Sequence, residues 1–134
     1  MNGYHLMLNI TSNPRNIAKI QPFVEDVGSR FDLESDTFGN ILVTLTEAVN
    51  NAIRHGNLND ARKKVLVKMI EGKDSLTFSV SDEGEGFDFN HLPNPTNFEN
   101  LFTVGGRGVF LMRELSDNCE FSDNGSTVEM KFKI

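Results

Sequence analysis

The stretch Glu47-Ala48-Val49-Asn50-Asn51-Ala52-Ile53-Arg54-His55-Gly56 decides how this chain is organised. With Ile41, Leu42 and Leu45 ahead of them, Ala48, Val49, Ala52 and Ile53 recur at spacings of three and four, the stripe of an amphipathic α-helix. Ser35 or Asp36 can cap its start, and Gly56 ends it. At about 100° per residue, Thr44, Glu47, Asn50, Asn51 and Arg54 project from the opposite side.

Most surface helices carry a solvated polar face, and this one could be no more than that. Two adjacent asparagines inside a helix are nevertheless poor helix formers, because their short amides compete for backbone groups. An amide oxygen is a hard ligand suited to Mg²⁺, which holds nucleotide phosphates with few protein ligands. Glu47 lies one turn before Asn51 on the same face, where it could take a proton from a water or hydroxyl attacking a terminal phosphate. His55 followed by Gly56 reads as a cation near the helix C-terminus and its glycine cap.

Upstream, Leu6, Leu8 and Ile10 alternate with polar neighbours as a half-buried strand, and Thr11-Ser12-Asn13-Pro14 supplies cap and first-turn chemistry. A helix with a kink at Pro22 is expected from Arg15 to about Leu33, on the spacing of Ile17, Ile20, Val24, Val27 and Phe31. Downstream, residues 65–70 and 75–80 form a hairpin around Glu71-Gly72-Lys73-Asp74. A helix follows from Gly106 to Leu115, and strands near Cys119–Ser122 and Thr127–Ile134 turn around Asp123-Asn124-Gly125. This order predicts an α+β fold: a two-layer sandwich whose mostly antiparallel sheet is covered on one face by three helices.

Two glycine segments flank a long aperiodic stretch. Ser81-Asp82-Glu83-Gly84-Glu85-Gly86 follows a strand, so Asp82 would face a cleft at the strand's end. Its carboxylate could accept a hydrogen bond from the amino group of adenine, or the segment could be an ordinary acidic turn. Gly105-Gly106-Arg107-Gly108 precedes an apolar helix, where free N–H groups and the positive dipole end suit phosphate, unless it is only a glycine-rich helix start. Neither segment is a Walker loop or a dinucleotide fingerprint.

The 134 residues suit one domain, with 38% hydrophobic and 24% charged residues as in ordinary folded proteins. A net charge of −6 disfavours direct binding to nucleic acid or an anionic membrane, so a small ligand or protein partner is expected. The N-terminus has no signal-peptide pattern and no segment approaches membrane-spanning length, which predicts a cytoplasmic location. Cys119, the sole cysteine, is expected to be a buried structural thiol.

In order, these three motifs resemble the N, G1 and G2 boxes of the histidine kinase-like ATPase superfamily, whose ATP site is of the Bergerat type. The helix motif is most similar to that of bacterial anti-sigma-factor serine kinases, and the resemblance runs along essentially the whole chain, as a single domain of residues 1–134. It implies that Glu47 is the catalytic base, Asn51 the Mg²⁺ ligand and Asp82 the adenine contact. It further implies that Gly84, Gly86, Gly105, Gly106, Arg107 and Gly108 line ATP, with residues 87–104 as a lid. Where some members carry an arginine before the second glycine box, this chain has Thr103-Val104-Gly105, and Arg107 stands between glycines. By resemblance the partners would be an anti-anti-sigma protein of the sulfate-transporter and anti-sigma-antagonist domain type, a sigma factor and a second copy of the chain. A regulatory ATP-binding module with little kinase activity is the competing expectation.

Overall fold

The computed structural model describes residues 3–85 and 106–134, and the expected lid at 87–104 lies outside them. Five strands make one antiparallel sheet: β1 (His5–Thr11), β2 (Lys64–Glu71), β3 (Ser75–Ser81), β4 (Asn118–Ser122) and β5 (Thr127–Lys133). Their order across the sheet is β1-β2-β3-β5-β4. Helices α1 (Ile20–Phe31), α2 (Ser35–Asn51) and α3 (Gly106–Leu115) complete the described elements with three short helical turns.

Alternation along the strands builds the core. Val65, Val67 and Met69 of β2, Leu76, Phe78 and Val80 of β3, and Val128, Met130 and Phe132 of β5 are buried on one face. They belong to one apolar cluster with Ile20, Val24 and Val27 of α1, Ile41, Leu45 and Val49 of α2, and Val109 and Met112 of α3. In the β3–β5 pairing Phe78 opposes Met130 and Leu76 opposes Phe132. Phe78 and Phe132 are therefore diagonal neighbours, and their rings meet edge to face, 5.9 Å apart. The expected sandwich and both hairpins are present. At the tip of the second hairpin Asp123, Asn124 and Gly125 all have positive φ, a backbone that these residue types tolerate.

Three local expectations need correction. The segment from Arg15 to Leu33 is a 3₁₀ turn, Pro14–Lys19, followed by α1, rather than one kinked helix. Pro22 has no N–H to donate to Ala18, so the α-helical ladder starts just ahead of it and takes the ring into its first turn. Asn13 does cap the 3₁₀ turn, accepting the Arg15 N–H at 3.0 Å, and the chain leaves α1 through Asp32, at φ 50°. Neither Ser35 nor Asp36 caps α2; both lie inside its first turn, and the cap position is held by Glu34 without a side-chain bond. Thr44 does not join an exposed polar face. It is fully buried and returns its hydroxyl to the carbonyls of Asn40 and Ile41.

Cys119 sits on the inward face of β4, packed against the core, and burial pushes its thiol pKa up to about 11. The thiolate is the reacting form, so at pH 8 iodoacetamide should label the native protein far more slowly than the urea-unfolded chain. Equal rates by mass spectrometry would contradict this packing.

Candidate functional site

The end of α2 assembles the site. Glu47 and Asn51, one turn apart, are both half-buried, and neither side chain hydrogen-bonds to another described residue. Gly108, at the start of α3, lies directly over them. A Cβ built there would be 2.7 Å from Asn51 Nδ2 and 3.3 Å from Glu47 Oε2. Any side chain at this position would occupy the corner that the carboxylate and amide face, so the glycine keeps it open. Arg107 beside it is exposed, and Gly106 is the first residue of α3. Gly86 and Gly105 lie outside the described residues. Asn50 accepts a bond from Arg54 Nε at 2.7 Å, so of the two asparagines it is Asn51 whose amide stays available.

Past Asn51 the helix loosens into a π-helical turn, Ala52–Gly56, with the Asn57 N–H reaching the Ala52 carbonyl. Gly56 is therefore not a left-handed cap; the positive φ values fall on Leu58 and Asn59 instead. Space is what requires a glycine there. A Cβ on Gly56 would stand 2.3 Å from Asp82 Oδ2, and one on Gly84 would stand 2.0 Å from the Gly56 carbonyl oxygen. The π turn and the loop after β3 thus touch backbone to backbone, with the Asp82 carboxylate wedged beside them. At His55, partial loss of water contact, then the charge of Arg54, holds the pKa below the ordinary value, which weighs against the expected cation.

Asp82 is half-buried. Its N–H bonds the Ser126 carbonyl at 2.9 Å and its Oδ1 accepts the Gly84 N–H at 2.8 Å. Burial raises its pKa, while the Gly84 N–H and the nearby charge of Lys63 pull the other way. A carboxylate kept partly dry in this manner costs stability in its charged form.

The motif reading missed Asn57. It is completely buried and its amide is committed on both sides: Nδ2 donates to Ser12 Oγ at 2.7 Å and to the Lys64 carbonyl at 3.0 Å, and Oδ1 accepts the Glu83 N–H at 2.8 Å. Ser12 Oγ in turn donates to the Lys63 carbonyl, and Glu83 returns its carboxylate to the Lys64 N–H. An asparagine after a glycine reads as part of a turn, and no periodicity marks it as buried.

Among the described residues no three His, Cys, Asp or Glu side chains could together hold a metal ion. An ion at Asn51 would take its other ligands from phosphate oxygens and water, as Mg²⁺ does in nucleotide sites. The free Asn51 amide, the neighbouring carboxylate and the cradle that Gly108 leaves fit a metal-bound polyphosphate.

The chain belongs to the histidine kinase-like ATPase domain family, whose model covers residues 10–132. It is similar to serine-protein kinase RsbW of Bacillus subtilis, 26% identical over 96% of this chain and 85% of that protein. The Staphylococcus epidermidis protein of the same name is 25% identical over 94% of this chain and 84% of its own length. The fold also matches a crystal structure of the RsbU and RsbW domains of a Mycobacterium tuberculosis protein, with a TM-score of 0.70 and 14% identity. That match spans 97% of this chain and 32% of the other.

Two outcomes follow. Gly56→Ala should cost about 1–3 kcal/mol, the usual range for overpacking, read as a lower urea midpoint with an unchanged m-value. Asp82 has a raised pKa, so its unfavourable contribution is absent below the unfolded-state value and complete above the folded one. Asp82→Asn should therefore melt higher than the parent at neutral pH, and the gap should close as pH falls through the carboxylate range.

Proposed function

We propose that this protein is an ATP-dependent serine kinase that acts as an anti-sigma factor, phosphorylating a serine on an anti-anti-sigma partner and sequestering a sigma factor. The observation that carries the reading is the approach of Gly108 to Glu47 and Asn51, which brings the two ends of the chain's nucleotide motifs into one corner. The serine-protein kinases to which the chain is similar give the substrate class. The partner classes come from the resemblance of the helix motif.

In this mechanism Asp82 accepts the amino group of adenine, and Gly84 and Gly86 let the base approach the loop. Gly105, Gly106 and Gly108 offer backbone N–H groups to the phosphates, and Arg107 adds a cation at the same helix start. Asn51 would hold Mg²⁺ through its amide oxygen, and the bound ion would offset phosphate charge. Glu47 orients the partner's serine hydroxyl and takes its proton as the oxygen bonds to the γ-phosphorus and the bond to ADP breaks. The chain works in the cytoplasm as a homodimer. Among the described residues no helix is long and apolar enough to cross a membrane.

Glu47→Gln should retain ATP binding while phosphate transfer to a purified anti-anti-sigma protein falls by about 10²–10⁴, the range for a lost general base. Transfer would be followed with labelled ATP, and undiminished turnover in the variant would remove Glu47 from the mechanism. ATP binding and sigma-factor capture by the parent protein, without any phosphoserine, would instead make it a regulatory module.

A further inference from the structure

The buried amide of Asn57 reaches three segments that are distant in sequence: the end of β1 at Ser12, the start of β2 at Lys64 and the loop after β3 at Glu83. Only the last bond bears on the ligand side. Glu83 follows Asp82 directly, and the Asp82 carboxylate is itself tied to the Gly84 N–H. Backbone on either side of the carboxylate is thus held, by Ser126 at the Asp82 N–H and by Asn57 at the Glu83 N–H. Both amide hydrogens of Asn57 are occupied elsewhere, so the side chain cannot rotate to release Glu83 without breaking two further buried bonds.

We propose that Asn57 is a positioning residue for base selection: by fixing the Glu83 N–H it sets where the Asp82 carboxylate stands, and so makes the pocket take adenine and refuse guanine. The inference rests on the reading of Asp82 as the adenine contact. Adenine presents a 6-amino donor where guanine presents a 6-oxo acceptor, so a carboxylate fixed opposite that position attracts one base and repels the other. Guanine also carries donors at N1 and at its 2-amino group. A carboxylate free to shift along the base edge could pair with those, and the refusal would be lost. Selectivity therefore depends on how firmly Asp82 is held as well as on its charge.

The network supplies its own control. Ser12→Ala removes a partner of Asn57 on the side away from the ligand and leaves the bond to Glu83. Both Ser12→Ala and Asn57→Ala should lower stability, but only Asn57→Ala frees the loop. A second pair avoids the buried residue: Glu83→Pro deletes the N–H from which Asn57 accepts, whereas Glu83→Ala keeps it and loses the carboxylate with its bond to the Lys64 N–H.

The experiment is calorimetric titration of the parent protein and these four variants with Mg²⁺ and non-hydrolysable analogues of ATP and of GTP. The parent, Ser12→Ala and Glu83→Ala should prefer the adenine nucleotide by similar ratios of Kd. In Asn57→Ala and Glu83→Pro that ratio should fall about tenfold, roughly what one well-formed hydrogen bond contributes. A merely structural role would lower the melting temperature and leave the ratio unchanged, and an unchanged ratio in the folded variants overturns the proposal. Should Asn57→Ala not fold, the Glu83 pair decides alone. A parent protein that binds neither nucleotide overturns the ATP-site reading itself, a different failure from binding with unaltered selectivity.

Discussion

Gly56 and Asp82 approach so closely that no side chain fits between them, and the rest of the site depends on that contact. It joins the turn at the end of the helical layer to the loop that leaves the sheet after β3. Because Gly56 has no left-handed backbone, its need for glycine is one of volume and not of conformation. The carboxylate beside it is half-buried and carries a raised pKa. Its packing against Gly56 and the Gly84 loop is what withdraws that group from water.

The departure of α2 from regular helix has the same origin. A π turn at Ala52–Gly56 widens the helix by one residue just past Asn51, and π turns often fall at functional sites. Had the helix simply ended in a glycine cap, nothing would carry Asn57 into the seam between β1, β2 and the β3 exit. With the turn in place, Asn57 is completely buried and fully bonded, and Asp82 stands on a loop held from both sides. The rigid part of the site is therefore the loop that carries Asp82. At the other corner Glu47 and Asn51 hold no bonds to other described residues, and Gly108 leaves space over them.

Much of this was legible before any coordinates. The stripe from Ile41 to Ile53, the alternation in Val65–Met69 and Leu76–Val80, and the Asp123-Asn124-Gly125 tip each match the element observed. The pairing of Glu47 with Asn51 follows from helical period alone. Less legible were the burial of single side chains and the choice between neighbouring cap positions. Thr44 reads as polar and exposed, yet it is buried and bonds back to its own helix. Ser35 and Asp36 have capping side chains, yet Glu34 takes the cap position. His55 reads as a cation, but burial and Arg54 lower its pKa and weigh against the charged form.

The sequence by itself determined the periods of the elements, the order of the three motifs and the residue types able to bind a base, a metal and phosphates, because these depend on near neighbours along the chain. Tertiary structure decided which glycines are there for space, that Asn57 is the buried link, and how far Asp82 is withdrawn from water. Those properties arise from segments as far apart as Ser12, Asn57 and Glu83, and volume exclusion and desolvation between them exist only once the layers have closed.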